Sequence, residues 1–299
     1  MELYFDSKKI RTAVFPVAGR GTRFLPATKV SPKEMLPVVD KPLIQYAVEE
    51  SIAAGAEKLV FITSSSKESI ENHFDRNPEL EHVLSVSGQK SLLSIIRNII
   101  PPHVTCIYIR QEEPLGLGHA VLCAQSAVGD EPFFVHLADD LINSEIPCLE
   151  QMRKHFELHN SSLLGVEHVH DEDIHKYGIV ATEVGSSGIS RVTKIVEKPA
   201  RKDAPSNLAV VGRYILTPEI FKKLSSIKVS AGNELQLTDA ISSLINDEPV
   251  YILPFDGTRY DCGSKLGYLK ATVQYGLEHA EIGVKFSEYL KNITKPQTK

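Results

Sequence analysis

The 299-residue chain has no apolar run approaching the ~20 residues that a membrane-spanning helix needs. That argues against a membrane partner. Its four cysteines, Cys106, Cys123, Cys148 and Cys262, are widely spaced and form no C-x-x-C. Neither a zinc ribbon nor a disulfide framework is indicated. Met1 to Thr12 is polar and mixed in charge and lacks the basic start and apolar core of a signal peptide, so the expected location is cytoplasmic. There is no long basic stretch, and the net charge is −5, so nucleic acid is not an expected partner. No Gly-x-Ser-x-Gly and no Cys–His nucleophile arrangement is seen, which favours chemistry without a protein nucleophile. The histidine pair His168-Val169-His170 alternates along an expected strand and reads as solvated.

What is present is ordinary for a globular chain, 42% hydrophobic and 24% charged, and long enough for a large core. The stretch Ala13–Pro37 stands out. Ala13-Val14-Phe15-Pro16-Val17 reads as a buried strand. A loop with Gly19 and Gly21 follows, and then Thr22, Arg23, Lys29 and Lys33. Glycine permits positive φ and close backbone approach. Free N–H groups make an anion nest, and fixed cations match a polyphosphate. The bland reading is a plain turn. The spacing has no third glycine for a dinucleotide fingerprint and no Gly-Lys-Ser/Thr for a P-loop. The cations that follow favour phosphate binding. Pro26, Pro32 and Pro37 predict an extended, stiff segment rather than a helix.

Beyond it, strands and helices alternate. Helical spacing covers Leu43–Ala54, Ser66–Phe74, Ser87–Ile100 and Ala120–Ala127; strand-like runs cover Leu59–Thr63, Val104–Ile109 and Pro132–Leu137. This pattern predicts an α/β fold: an open, mostly parallel central sheet flanked by helices. Ligands of such sheets sit at the carboxyl ends of strands, where the Gly loop, Gln111–Gly118 and Asp139-Asp140 all fall. The second half reads as richer in β structure, with a hairpin around Gly185–Gly188, a strand over Leu208–Leu216 and helices over Leu235–Asn246 and 264–277. The division is a nucleotide-binding part over 9–145 and a smaller part over 146–280, followed by a C-terminal helix and tail over 281–299.

Two carboxylate positions suit a hard cation. Asp139 and Asp140 end one strand, and Asp261 ends another just before Gly263. One aspartate from each strand end, with phosphate oxygens, would suit Mg²⁺. The alternative is a capping or solvated pair. Glu197-Lys198-Pro199 also ends a strand, where such residues are commonly plain surface.

The blocks Val17–Lys29, Pro32–Pro37, Gln111–Ala120, Leu137–Asp140, Val196–Pro199, Glu234–Asp239 and Asp261–Gly263 together resemble the sugar-nucleotidyltransferases. Within that superfamily they are most similar to the bacterial UTP–glucose-1-phosphate uridylyltransferases. The resemblance runs from Lys9 to about Leu277. It implies a Rossmann-like nucleotidyltransferase fold and formation of UDP-glucose and pyrophosphate from UTP and glucose 1-phosphate with Mg²⁺. It implies Arg23 and Lys33 on the UTP phosphates and Lys198 on the sugar phosphate, these three as the catalytic groups. Ala18, Gly19, Gly21, Thr22, Glu34, Gln111 and Gly116 would hold the nucleotide. Gly178, Glu197 and Gly212 would hold the sugar, and Asp139 with Asp261 the metal, with Asp140 a neighbour only. A homodimer or homotetramer is implied as well. Two positions depart from the pattern: Ala138 stands where proline is common, and Arg20 sits between the glycines. The alternatives kept open are another nucleotide and sugar pair such as dTTP, a catalytically weak regulatory paralogue, and a dehydrogenase.

Overall fold

The structure, a computed structural model, describes residues 9–185, 189–227 and 234–293. The expected hairpin turn at Ser186–Gly188 and the end of the tail lie outside the described residues. One nine-stranded sheet runs through both halves of the chain. In spatial order its strands are Thr105–Arg110, Lys58–Thr63, Thr12–Pro16, Phe133–His136, Leu208–Leu216, Leu163–His168, Tyr251–Pro254, Ser190–Glu197 and Gly178–Val184.

Parallel pairing holds across the first four strands and between Leu163–His168 and Tyr251–Pro254. Leu208–Leu216 runs antiparallel to both of its neighbours, and the last hairpin is antiparallel. The parallel expectation therefore describes the nucleotide half, where helices cross between strands. Beyond it the sheet is mixed: Gly178–Val184 and Ser190–Glu197 follow each other in the chain and pair antiparallel, whereas Leu208–Leu216 meets its antiparallel partners from distant parts of the chain.

Alternation along the first strand sorts its side chains. Val14 packs with Val60 and Val135 on one face, and Ala13 and Phe15 pack with Phe61 and Phe134 on the other. All seven are fully buried, as expected of a strand covered on both sides.

Sequence and structure part at several places. The segment Thr22–Met35 is not simply extended; it winds through single 3₁₀ turns at Thr22–Phe24, Ala27–Lys29 and Lys33–Met35. Prolines between them stop each turn from growing. The expected helix over Ser87–Ile100 shortens to Lys90–Arg97 and is preceded by a helix at Pro78–Val86 that the spacing did not reveal. Asn77 caps that earlier helix through its side chain. A helix at Cys148–His159 was also not foreseen. It carries His155 and His159 four residues apart, a pair passed over in the sequence. His159 packs against Tyr251 at 5.5 Å. Among the described residues, no group of three or more potential metal ligands forms. Nor is any described helix long and apolar enough to cross a membrane.

The helix Leu43–Ala53 carries Glu50 to the buried end of Arg213, the largest fully buried side chain among the described residues. Arg213 Nε and Nη2 donate to the two Glu50 carboxylate oxygens at 2.9 and 2.8 Å. Its Nη2 also donates to the Asp140 carbonyl at 2.8 Å, and Nη1 reaches the carbonyls of Gly212 at 3.2 Å and Leu137 at 3.4 Å. The Leu149 backbone N–H donates to Glu50 at 3.1 Å. A planar guanidinium is thus met by carboxylate and carbonyl oxygens around its rim. Removing one partner would leave the other buried and unpaired. Arg213→Ala should therefore cost about 3–5 kcal/mol in urea unfolding. Lys222→Ala, which breaks an exposed pair with Glu219, should leave the midpoint where it was. A midpoint for Arg213→Ala equal to that of the parent would refute this account.

Candidate active site

Gly21 sits in the left-handed region at φ 64°, as the reading of a glycine loop requires. A side chain there would meet Lys33 Cβ at 3.1 Å. The Thr28 hydroxyl donates to the Gly21 carbonyl at 2.7 Å and closes the loop. Nothing lies within 4 Å of a Cβ built on Gly19, so the loop's outer side is open. Thr22 and Arg23 are exposed beside it and Ala18 is half-buried.

Lys33 leaves this loop and reaches Asp139, Nζ to Oδ2 at 2.6 Å. Burial works against charge on both groups, yet mutual attraction prevails. Asp139 is held below the ordinary carboxylate range by Lys33 with help from Arg23, and Lys33 is raised by Asp139 and Glu34. Asp261 behaves oppositely. Burial pushes its carboxyl up, and the nearby Asp140 and Asp139 add to the effect while Arg259 opposes it.

Asp139 Oδ2 and Asp261 Oδ1 each lie 3.0 Å from where a Cβ on Gly263 would stand, and Arg23 Nη1 lies 3.4 Å from it. Gly263 therefore leaves a gap rimmed by two carboxylates and a guanidinium. Glu34 is not in the gap. It is buried and paired with buried Lys67 at 2.8 Å, and burial pushes its carboxyl up against the pull of Lys67 and Lys33. The resemblance placed Glu34 with the nucleotide, but the contact with Lys67 braces the loop from inside.

Asp140 points away from the gap. Its Oδ1 accepts from Arg259 Nε at 2.7 Å and its Oδ2 from the Gly212 backbone N–H at 3.0 Å. Arg259 also meets Glu167 at 2.5 Å and lies over the Tyr177 ring, 4.8 Å from its centroid. The sequence showed no reason to single out Arg259. Gly212 was expected to make room for a hexose. In the fold its missing side chain is already needed by the protein: a Cβ would stand 2.7 Å from Leu137 Cβ and 2.8 Å from Asp140 Oδ2.

Gly178, the first residue of its strand, and Glu197, the last of its own, are cross-strand neighbours. The Thr238 hydroxyl donates to Glu197 Oε2 at 2.6 Å, and Lys198 Nζ lies 3.3 Å from Oε1. Lys198 itself has φ 42°, a strained value for a lysine. Its backbone N–H donates to the Tyr177 carbonyl at 3.0 Å, which holds that turn. The ammonium is exposed.

The third cluster surrounds Gln111, which is buried at the end of its strand. Gly116, at φ 95°, lies so close to Leu235 that a Cβ would stand 2.9 Å from its carbonyl. Gly118 N–H donates to the Leu235 carbonyl at 2.8 Å, and Leu235 N–H to the Leu115 carbonyl at 2.7 Å. The segment Glu234–Thr238 thus touches the Gln111 loop at one end and Glu197 at the other. Thr238 was quoted only as part of a block; its hydroxyl contact shows why the block sits there.

Residues 13–277 match the nucleotidyl transferase family. The chain is 48% identical over 292 residues to a UTP–glucose-1-phosphate uridylyltransferase of Bacillus subtilis (strain 168), with 98% of each chain covered. A UTP-bound UDP-glucose pyrophosphorylase from Acinetobacter baumannii has a similar structure, with TM-score 0.87 and 45% identity over 95% of this chain and 99% of that one. A UDP-glucose pyrophosphorylase complexed with UDP-glucose gives TM-score 0.81 and 45% identity over 89% and 98%. The glycine loop, the paired carboxylates and the Glu-Lys turn stand together on a fold that these proteins share, and the chain belongs to the nucleotidyl transferase family, in its UTP–glucose-1-phosphate uridylyltransferase branch.

Proposed function

We propose that the protein makes UDP-glucose and pyrophosphate from UTP and α-D-glucose 1-phosphate, reversibly, by direct transfer. The observation that carries this is the Gly263 gap, where Asp139, Asp261 and Arg23 converge beside Lys33. A phosphate oxygen of the sugar phosphate attacks the α-phosphorus of UTP in line, and pyrophosphate leaves. The attacking oxygen is already anionic, so no protein base is needed. The task of the chain is to align two polyanions and offset their charge.

Arg23 and Lys33 act on the UTP phosphates from the loop that Gly21 shapes. Lys33 must then leave Asp139 for phosphate. Lys198 takes the sugar phosphate, and its exposed ammonium is free to move away from Glu197. Glu197, oriented by Thr238, accepts from sugar hydroxyls over Gly178. Ala18, Gly19 and Thr22 offer backbone and hydroxyl groups to the nucleotide, and Gln111 with Gly116 meets the base.

Asp139 and Asp261 fit Mg²⁺ by their hard oxygen donors and by the gap that Gly263 leaves between them. Mg²⁺ there would supply Lewis-acid charge to the phosphates. Burial, with added repulsion from Asp140 and Asp139, raises the Asp261 carboxyl, and a cation there would favour its ionised form. A homodimer or homotetramer completes the proposal. Its support is the run of exposed apolar side chains Leu266, Leu269, Val284 and Tyr289 on the last two helices, and a monomer mass by light scattering would dismiss it.

The deciding assay is pyrophosphate release across UTP, dTTP and other triphosphates with a set of sugar 1-phosphates, with and without EDTA. UTP with glucose 1-phosphate should give the highest kcat/KM. EDTA should abolish release, and Mg²⁺ should restore it. Preference for another pair would replace the substrate assignment, and full activity in EDTA would remove the metal. Lys198→Ala should lower kcat by about two orders of magnitude or more with an unchanged melting curve. Turnover near that of the parent would take Lys198 out of the reaction.

A further inference from the structure

Gln111 Nε2 meets two atoms, the Gly116 carbonyl at 3.2 Å and His119 Nδ1 at 2.9 Å. A carbonyl oxygen can only accept, so the amide group facing Gly116 is the NH₂. That carbonyl is not free to turn away, because the glycine loop is clipped to Leu235 by two backbone hydrogen bonds. The ring nitrogen facing the same NH₂ must therefore accept too. The imidazole proton then sits on Nε2, and Nδ1 is bare. Cys123 Sγ, 3.9 Å from that nitrogen, also faces it with a thiol that burial keeps protonated. Among the described residues no donor meets the other end of the amide, Oε1. Gly116 and His119 thus each take one N–H of the amide, and its Oε1 is left as an acceptor for a ligand.

We propose that His119 is a positioning residue that holds Gln111 so that it presents Oε1 to the nucleobase, selecting a pyrimidine with N3–H, such as uracil, over cytosine, whose N3 is a bare acceptor. This rests on Gln111 meeting the base, as assigned above. Acceptor against acceptor forfeits the hydrogen bond and leaves Oε1 desolvated. The Gly116 bond is the longer of the two constraints on the amide, so losing His119 frees the amide to turn its NH₂ toward cytosine.

The test is kcat/KM for UTP and CTP at saturating glucose 1-phosphate. His119→Leu should raise KM for UTP more than it lowers kcat. It should also reduce the UTP-to-CTP preference by about threefold to tenfold, the worth of one hydrogen bond. His119→Asn should restore the preference, because Asn Oδ1 occupies the same branch of the side chain as His Nδ1 and likewise accepts. A folded His119→Leu protein with the parent's preference would overturn the proposal. A second measurement needs no destabilising variant: the ¹⁵N shifts of the His119 ring in the wild-type protein, assigned by their absence in His119→Asn. A bare Nδ1 supports the proposal and an Nδ1–H overturns it. Gln111→Leu separates the two layers of the argument. If it leaves KM for UTP unchanged, the base assignment itself fails; if it raises KM while His119→Leu leaves the preference intact, only the positioning role fails.

Discussion

The site depends on a buried guanidinium. Arg213 holds the carbonyls of Leu137 and Asp140, the two ends of the turn that projects Asp139. Glu50 neutralises it from the far side. A turn between two strands would ordinarily be a place of mobility. Here its backbone acceptors are tied to a rigid planar fork, itself tied to a helix under the sheet. An aspartate pair in that turn then points two ways: Asp139 to the gap at Gly263, and Asp140 inward to Gly212 and Arg259.

Charge is arranged around that turn so that anions replace contacts already made. Lys33 rests on Asp139, and Lys198 rests beside Glu197. Each cation has a carboxylate to leave and, in the proposed reaction, a phosphate to meet. Desolvation of these charges is met in the free protein by their partners. The exchange of one anion for another is therefore easier than exposing a bare cation in the site. Arg259 ties the two regions together by touching Asp140, Glu167 and the Tyr177 ring at once, and Tyr177 in turn holds the backbone of Lys198.

Much of this was legible in one dimension. Periodicity located the strands that end in the glycine loop, in Gln111 and in Asp139, and parallel α/β packing implied that they share one edge. The glycine at position 21 was readable because only the backbone conformation matters there. Gly212 was harder: its small size suits a hexose or a neighbouring side chain equally, and the neighbour, Leu137, lies 75 positions away in the chain. The helix at Pro78–Val86 buries only Glu81 and Leu84, so its apolar stripe is faint; the helix at Cys148–His159 buries Cys148, Leu149, Met152 and Phe156, a helical spacing that was present in the sequence. Arg259 and His119 carry no signature, since an arginine in a short strand or a histidine in the first turn of a helix is ordinary until its partners are known.

Side-chain alternation and helix spacing are local properties of the chain, so residue order alone says which chemical groups are available and at which strand ends they emerge. Which of those groups meet was decided only by the tertiary structure. The pairs Lys33–Asp139, Glu50–Arg213, Thr238–Glu197 and Asp140–Arg259 each join distant segments. Hydrogen bonds and charge contacts act over a few ångströms of space, and only the folding of one sheet through both halves of the chain brings those segments within that range.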